Sequence, residues 1–287
     1  MEPAPSHFKP EKESIVDTWD TRADQWDSWS PITDAWFAPA TEMLLRHLAL
    51  RPGDAVLELA AGTGGLTKHL ARAVGAKGSV VATDSGPNMV ALAERNARKD
   101  GLSMVSTRVM DGEHPDLPSE SVDAVACRQG VMFFEQPAVA FQRLREVLRP
   151  GGRIGVTVFS TPDRNAFLSM PIQILSRWAD PEGAAPPPPP GAPGPFALGK
   201  PGRIQSFLHE ARFEGIRVES VASPLRMPSL DELMRFYHET LRDVVQALPP
   251  ARQQEAWDDV ARAVSGFIGP ASSGAPCEIL VASGRRR

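Results

Sequence analysis

The residues best suited to chemistry stand in one short run, Val56-Leu57-Glu58-Leu59-Ala60-Ala61-Gly62-Thr63-Gly64-Gly65-Leu66-Thr67. An apolar stretch ends in an acid, breaks into glycines and passes at once into a helical pattern. That order predicts strand, loop and helix. Gly62 and Gly64 permit a sharp turn and let a ligand approach the backbone. The helix that follows offers free N–H groups. A dinucleotide site uses G-x-G-x-x-G, whose third glycine lets helix pack closely on strand. Here Thr67 takes the third place, and Glu58 stands before the glycines, where it would repel a pyrophosphate. The run suits a ligand carrying positive charge. A second strand-like run, Ser79-Val80-Val81-Ala82-Thr83-Asp84, also ends in an acid, and one carboxylate there can accept both hydroxyls of a ribose.

The pattern E-x-x-x-G-x-G over Glu58 to Gly64 resembles motif I of the class I S-adenosylmethionine (SAM)-dependent methyltransferases, notably the small-molecule, ubiquinone/menaquinone-biosynthesis type. SAM carries a sulfonium, an ammonium, a ribose and an adenine, and no phosphate. Asp84, Asp111-Gly112 and the turn Arg149-Pro150-Gly151-Gly152 continue the resemblance in order and spacing over residues 40–160. It implies an α/β fold: a Rossmann-like, doubly wound, mostly parallel seven-stranded sheet with the last strand antiparallel, plus a helical substrate cap. It implies SAM as cofactor. The expected cofactor contacts are Glu58, Ala60, Gly62, Thr63, Gly64, Asp84, Ser85, Met89, Asp111, Gly112, Glu113, Arg128, Gln129 and Trp26. Within that set Glu58 would complement the methionine end, Asp84 the ribose and Asp111 the adenine amino group.

Strand and helix signals set these residues at the carboxyl ends of strands, where open α/β sheets bind ligands. Ser85 is an expected N-cap and Pro87 opens a helix that runs to Lys99 and stops at Asp100-Gly101. Strands are expected at 105–109, 121–128 and 153–159, with an amphipathic helix from Pro137 to Leu148. Four regions follow: an aromatic helical segment or flap (1–39), the SAM-binding core (40–160), an insertion with a proline-rich loop (161–200), and a return to the sheet with cap helices (201–287). The run from Pro186 to Pro195 reads either as disorder or as a lid. Trp19, Trp26, Trp29 and Trp36 recur at helical spacing, which reads as packing of one helix or as a flap over SAM.

For the acceptor side, Phe133, Phe134, Met170, Phe236 and Tyr237 are the expected substrate contacts, with Phe159, Phe167 and Trp178 as further lining. His238, on an expected helix over 229–248, is the candidate catalytic base, because imidazole can accept a proton near neutral pH. The expected reaction is methyl transfer to O, N or C of a small, largely apolar or aromatic molecule. Two other readings compete: an NAD-dependent oxidoreductase, which Thr67 and Glu58 oppose, and a SAM-fold binding or regulatory protein without turnover, which the intact loop opposes.

Composition narrows the partners. In 287 residues with 42% hydrophobic and 23% charged content, the chain reads as an ordinary soluble globular protein. A formal net charge of -4 argues against a nucleic-acid partner. Arg285-Arg286-Arg287 reads as a solvated tail. Cys127 and Cys277 read as buried thiols, and neither a metal set nor a disulfide framework is expected. No secretory signal and no membrane span is expected, which points to the cytoplasm. Homo-oligomerisation is left open.

Overall fold

The structure, a computed structural model, describes residues 17–179, 191–246, 248–269 and 272–287. Seven strands form one sheet: β1 (Ala55–Leu59), β2 (Ser79–Asp84), β3 (Val105–Val109), β4 (Val122–Arg128), β5 (Leu148–Phe159), β6 (Glu214–Ala222) and β7 (Glu278–Arg285). Their spatial order is β3-β2-β1-β4-β5-β7-β6. The first five strands pair in parallel, and β7 inserts antiparallel between β5 and β6. The order of strand addition therefore reverses between β1 and β4, and the carboxyl ends of these two strands flank the switch point.

The central strands are short and almost wholly apolar because both of their faces are covered. Val56, Leu57, Leu59, Val125 and Ala126 are buried, and Glu58 is the one charged residue among the buried positions of β1. In register it pairs with Ala82 on one side and Ala126 on the other. Helices follow β1 and β2, whereas β3 leads directly to β4. After β1 comes α3 (Thr67–Val74), after β2 α4 (Pro87–Lys99), and α5 (Pro137–Val147) precedes β5. Before the sheet, after helical residues 17–20, come α1 (Ala23–Ser28) and α2 (Ser30–Leu48). Leu44 and Leu48 of α2 press on Gly155 of β5, where a Cβ would stand only 2.7 Å from Leu44 Cδ1.

The remaining helices are α6 (Ala166–Ala179), α7 (Arg203–Glu210), α8 (Leu230–Thr240), α9 (Arg242–Gln246) and α10 (Pro250–Val264). The single helix expected over 229–248 is two, broken at Leu241. Ser229 caps α8 by accepting from Glu232 N at 3.1 Å. Helices α6, α8, α9 and α10 pack on one another beyond the carboxyl end of β5, where Phe159 meets Phe167 of α6 at 5.2 Å between ring centroids.

Of the three arginines expected as a solvated tail, Arg285 and Arg287 are exposed, but Arg286 is not free. Strand β7 extends to Arg285, and Arg286 Nη1 donates to the carbonyls of Arg145, Glu146 and Leu148 at the end of α5, while Nη2 meets Glu120 at 2.6 Å. A cation there satisfies otherwise open helix carbonyls and complements the dipole. The first half of the run from Pro186 to Pro195, residues 186–190, lies outside the described residues. Its second half is described: Gly194 N donates to Met132 O at 3.0 Å.

Candidate functional site

The loop after β1 is built from left-handed backbone. Ala60 has φ 50, Gly62 φ 56 and Gly64 φ 94. Ala60 adopts this region without being glycine, and strain of that kind gathers at functional loops. The turn is pinned from below. Ala61 N donates to Thr83 O at 2.9 Å, and Thr83 Oγ1 donates to Glu58 O at 2.7 Å. Asp84 completes the frame: its Oδ2 accepts from Gly62 N at 2.9 Å and its Oδ1 from Gly86 N at 3.0 Å. Each of its oxygens keeps a further lone pair. Burial raises the Asp84 pKa, against the pull of these N–H donors.

Glu58 is the most unusual group in the molecule. It is 1% exposed, and among the described residues neither carboxylate oxygen has a hydrogen-bond partner. Burial pushes its pKa up to about 8, although the nearby Thr67 hydroxyl and Arg128 guanidinium work in the opposite direction. Arg128 does not bond to it. Arg128 Nη1 donates to Thr41 Oγ1 at 3.1 Å, and its guanidinium lies over the Phe37 ring at 5.1 Å. Its Nη2 also supports Gly65 so closely that a Cβ there would be 2.4 Å away.

Buried polar atoms normally find partners. Among the described residues nine buried side-chain polar atoms lack one, and six of them belong to Asp34, Glu58, Thr67 and Gln129, around the glycine loop. Gln129 follows β4 with φ 64, held by its N–H to Thr157 O at 3.0 Å, and both heteroatoms of its amide are buried and unpartnered. Its neighbour Gly130 touches the Ala60 side of the loop, since a Cβ on it would stand 2.4 Å from Ala60 Cβ. A site with an unpartnered carboxylate and an unpartnered amide fits an amino-acid-like group bearing an ammonium and a carboxylate.

The β3 end differs from the simplest expectation. Asp111 Oδ1 accepts from Glu113 N at 3.0 Å, an Asx turn, and Oδ2 meets His114 Nδ1 at 2.7 Å. Glu113, expected at the cofactor, turns its carboxylate to the start of α5 instead, accepting from Glu135 N at 2.6 Å and Gln136 N at 3.1 Å. The amides before a helix that opens with proline need such an acceptor. The Phe134 ring packs on the backbone of Gly112, leaving 2.9 Å for a Cβ. Phe133 lies 6.3 Å from Trp19. Phe134 thus sits on the Asp111 side of the site, and Phe133 beside Trp19 of the N-terminal segment.

Ser85 is not the N-cap of α4. Gly86 holds that position, and the cap oxygen comes from far away: Asp20 Oδ1 accepts from Asn88 N at 2.7 Å and Met89 N at 3.3 Å. Met89 is buried against Ala23 and Leu92, with Trp19 and Trp26 packed around them. Thr63 is buried, and its carbonyl accepts from Asn96 Nδ2 at 2.9 Å.

The four tryptophans divide. The helical run over them is interrupted at Thr21 and Arg22, and again at Trp29 between α1 and α2. Trp29 and Trp36 are core, with Trp36 Nε1 donating to Ser223 O at 2.7 Å. Trp19 and Trp26 meet edge to face at 5.3 Å beside the loop, Trp26 Nε1 being 3.9 Å from the Cβ position of Gly62. The acceptor-side candidates are also more deeply placed than expected. Phe236 is 3% exposed against Trp29 and Trp36, and Tyr237 is fully buried with its hydroxyl donating to Phe167 O. Met170 is half-buried in α6.

His238, the candidate base, is carried by α8. It stands on an exposed position of α8 with its ring 4.1 Å from that of Trp257 in α10, and partial burial lowers its pKa. Residues that spacing did not single out, Asp20, Asp34 and Thr41, join the site from the N-terminal segment.

Residues 56–152 match the family model described as "Methyltransferase domain". This stretch is a class I SAM-dependent methyltransferase domain. It holds the glycine loop, Asp84, Asp111 and Gln129. Nocamycin O-methyltransferase of Saccharothrix syringae is 29% identical over 88% of this chain and 92% of its own length. The ubiquinone/menaquinone biosynthesis C-methyltransferase UbiE of Teredinibacter turnerae is 33% identical over 44% of this chain and 51% of its own. The chain thus spans nearly all of the first relative and about half of the second. In fold it is similar to the YcgJ protein from Bacillus subtilis, with a TM-score of 0.56 at 17% identity over 87% of this chain and 99% of that one. The chain is a SAM-dependent methyltransferase. No described helix is long and apolar enough to cross a membrane.

Proposed function

We propose that this methyltransferase acts on an oxygen or carbon of a small, largely apolar or aromatic molecule in the cytoplasm. The observation that carries the site is the cluster of unpartnered polar atoms on Glu58, Thr67, Gln129 and Asp34 at the glycine loop. In this reading Glu58 and Gln129 hold the methionine end, Asp84 the ribose, and Asp111 with Gly112 the adenine, with Phe134 beside them. When bound, SAM supplies a methyl group already activated by its sulfonium. The chain's own work is alignment and exclusion of water. Trp19 and Trp26 serve the second task beside the loop. No side chain is assigned as base.

An apolar or aromatic acceptor is supported by the ring cluster at the end of β5. Trp36 stacks on Phe37 at 4.4 Å and on Phe159 at 5.8 Å, and Phe196 reaches Phe159 at 6.5 Å. The names of the relatives, an O-methyltransferase and a C-methyltransferase, support those two acceptor atoms. Incubation with methyl-labelled SAM and a panel of phenolic, quinone, prenyl and amine acceptors, read by mass spectrometry, tests the reading. Label in amines alone would overturn it. Calorimetry that finds binding of NAD and none of SAM would remove the site assignment.

A further inference from the structure

Residues 17–29 form a strap held at two places. One grip is on the cofactor side. Asp20 takes the first-turn amides of α4 and also accepts from Asn88 Nδ2 at 3.0 Å. Gly86 leaves it room, since a Cβ there would be 2.6 Å from Asp20 Oδ1. Asp27 meets Arg95 at 2.7 Å and accepts from Asn96 Nδ2 at 2.8 Å, and the same Asn96 amide holds the Thr63 carbonyl of the glycine loop. The apolar seal is Trp19, Ala23 and Trp26 on Met89 and Leu92.

The other grip is on the helical layer of the acceptor side. Arg22 Nη2 meets Asp243 Oδ1 of α9 at 2.6 Å, with the arginine side chain 14% exposed. Trp29 Nε1 donates to Glu239 Oε2 of α8 at 2.5 Å, and the Arg235 guanidinium lies 4.2 Å over the Trp29 ring. Arg22 is thus anchored to α9 while the residues on either side of it, Asp20 and Trp26, are anchored on α4 and beside Gly62. Moving the strap away from the loop requires breaking the ion pair.

We propose that Arg22 and Asp243 are positioning residues of the cofactor site: their ion pair latches the strap over the glycine loop from the acceptor side, and its opening sets how fast the spent cofactor leaves. The proposal rests on the SAM reading of the loop. It couples cofactor exchange to the helical layer, so that movement of α9 on acceptor binding or product release is felt at Asp20 and Trp26.

The test is dissociation of S-adenosylhomocysteine from the full chain, followed in stopped flow by tryptophan fluorescence. Arg22→Gln and Asp243→Asn are each expected to speed dissociation by about threefold to tenfold, the range for a partly buried ion pair. The double variant should be no faster than either single one, because both remove the same contact. The charge swap, Arg22→Asp with Asp243→Arg, should restore the rate to within about twofold. In the ligand-free protein, hydrogen exchange at Asn88 and Met89 should rise in both single variants, since their amides depend on Asp20. Unchanged dissociation and unchanged exchange in the single variants would overturn the latch. A wild-type chain that binds no S-adenosylhomocysteine would instead overturn the cofactor reading on which it rests.

Discussion

Glu58 makes the ligand-free enzyme sensitive to pH in a direction opposite to that of a salt-bridged acid. Its carboxyl is 1% exposed with no hydrogen-bond partner among the described residues, and burial raises its pKa from 4.5 to about 8. Between those two values the folded protein holds a proton that the unfolded chain has released. Stability is therefore full below pH 4.5 and falls as pH rises through the window to about 8. The slope is about 1.4 kcal/mol per pH unit, and the whole window is worth on the order of 5 kcal/mol. The groups that face Glu58 are Arg128 from β4, which opposes the shift, and Asp84 from β2, which adds to it. Glu58→Gln keeps the shape and cannot ionise. Urea unfolding of the ligand-free wild type and variant, from pH 5.5 to 8.5, should show the variant gaining about 3 kcal/mol relative to wild type across the range. Saturating SAM should flatten the wild-type slope, since a cation beside the carboxylate favours its charged form. Parallel pH profiles for the two ligand-free proteins would refute the argument that Glu58 is neutral when the site is empty of charge.

Asp84→Asn should weaken SAM binding by roughly 1.5–3 kcal/mol in calorimetry. It should also lower the melting temperature, because an amide cannot accept from Gly62 and Gly86 through two oxygens; an unchanged dissociation constant removes Asp84 from the site. His238→Ala should leave kcat and its pH profile unaltered, since the ring packs on Trp257; a pH-dependent loss of turnover would return it to the mechanism. Arg286→Met should cost about 1–3 kcal/mol in denaturant unfolding by exposing the α5 carbonyls to no donor, with SAM affinity unchanged. A variant as stable as wild type would show that the C-terminal arginine is a solvated tail after all.

The sequence by itself determined the strands, their ligand-bearing ends and the loop. Those signals are local: alternation, apolar runs, and glycines at the positions that the structure finds at φ 56 and φ 94. Even Asp84, named from its place after a strand, falls beside Gly62 because parallel pairing of β1 with β2 fixes that distance. Tertiary structure decided what local spacing cannot encode. Four tryptophans at one helical period became two in the core and two beside the loop, because the helical run is interrupted at residues 21–22 and again at Trp29. The cap of α4 comes from Asp20, 68 residues away, and the partner of Arg22 is 221 residues away. Glu113, His238 and Arg286 look the same in sequence whether they face a ligand, a neighbouring ring or a helix end. Which of these each side chain meets depends on how helices from distant parts of the chain dock on the sheet. The burial of Glu58 has the same origin: its carboxyl is written in the sequence, but its removal from solvent is the work of packing.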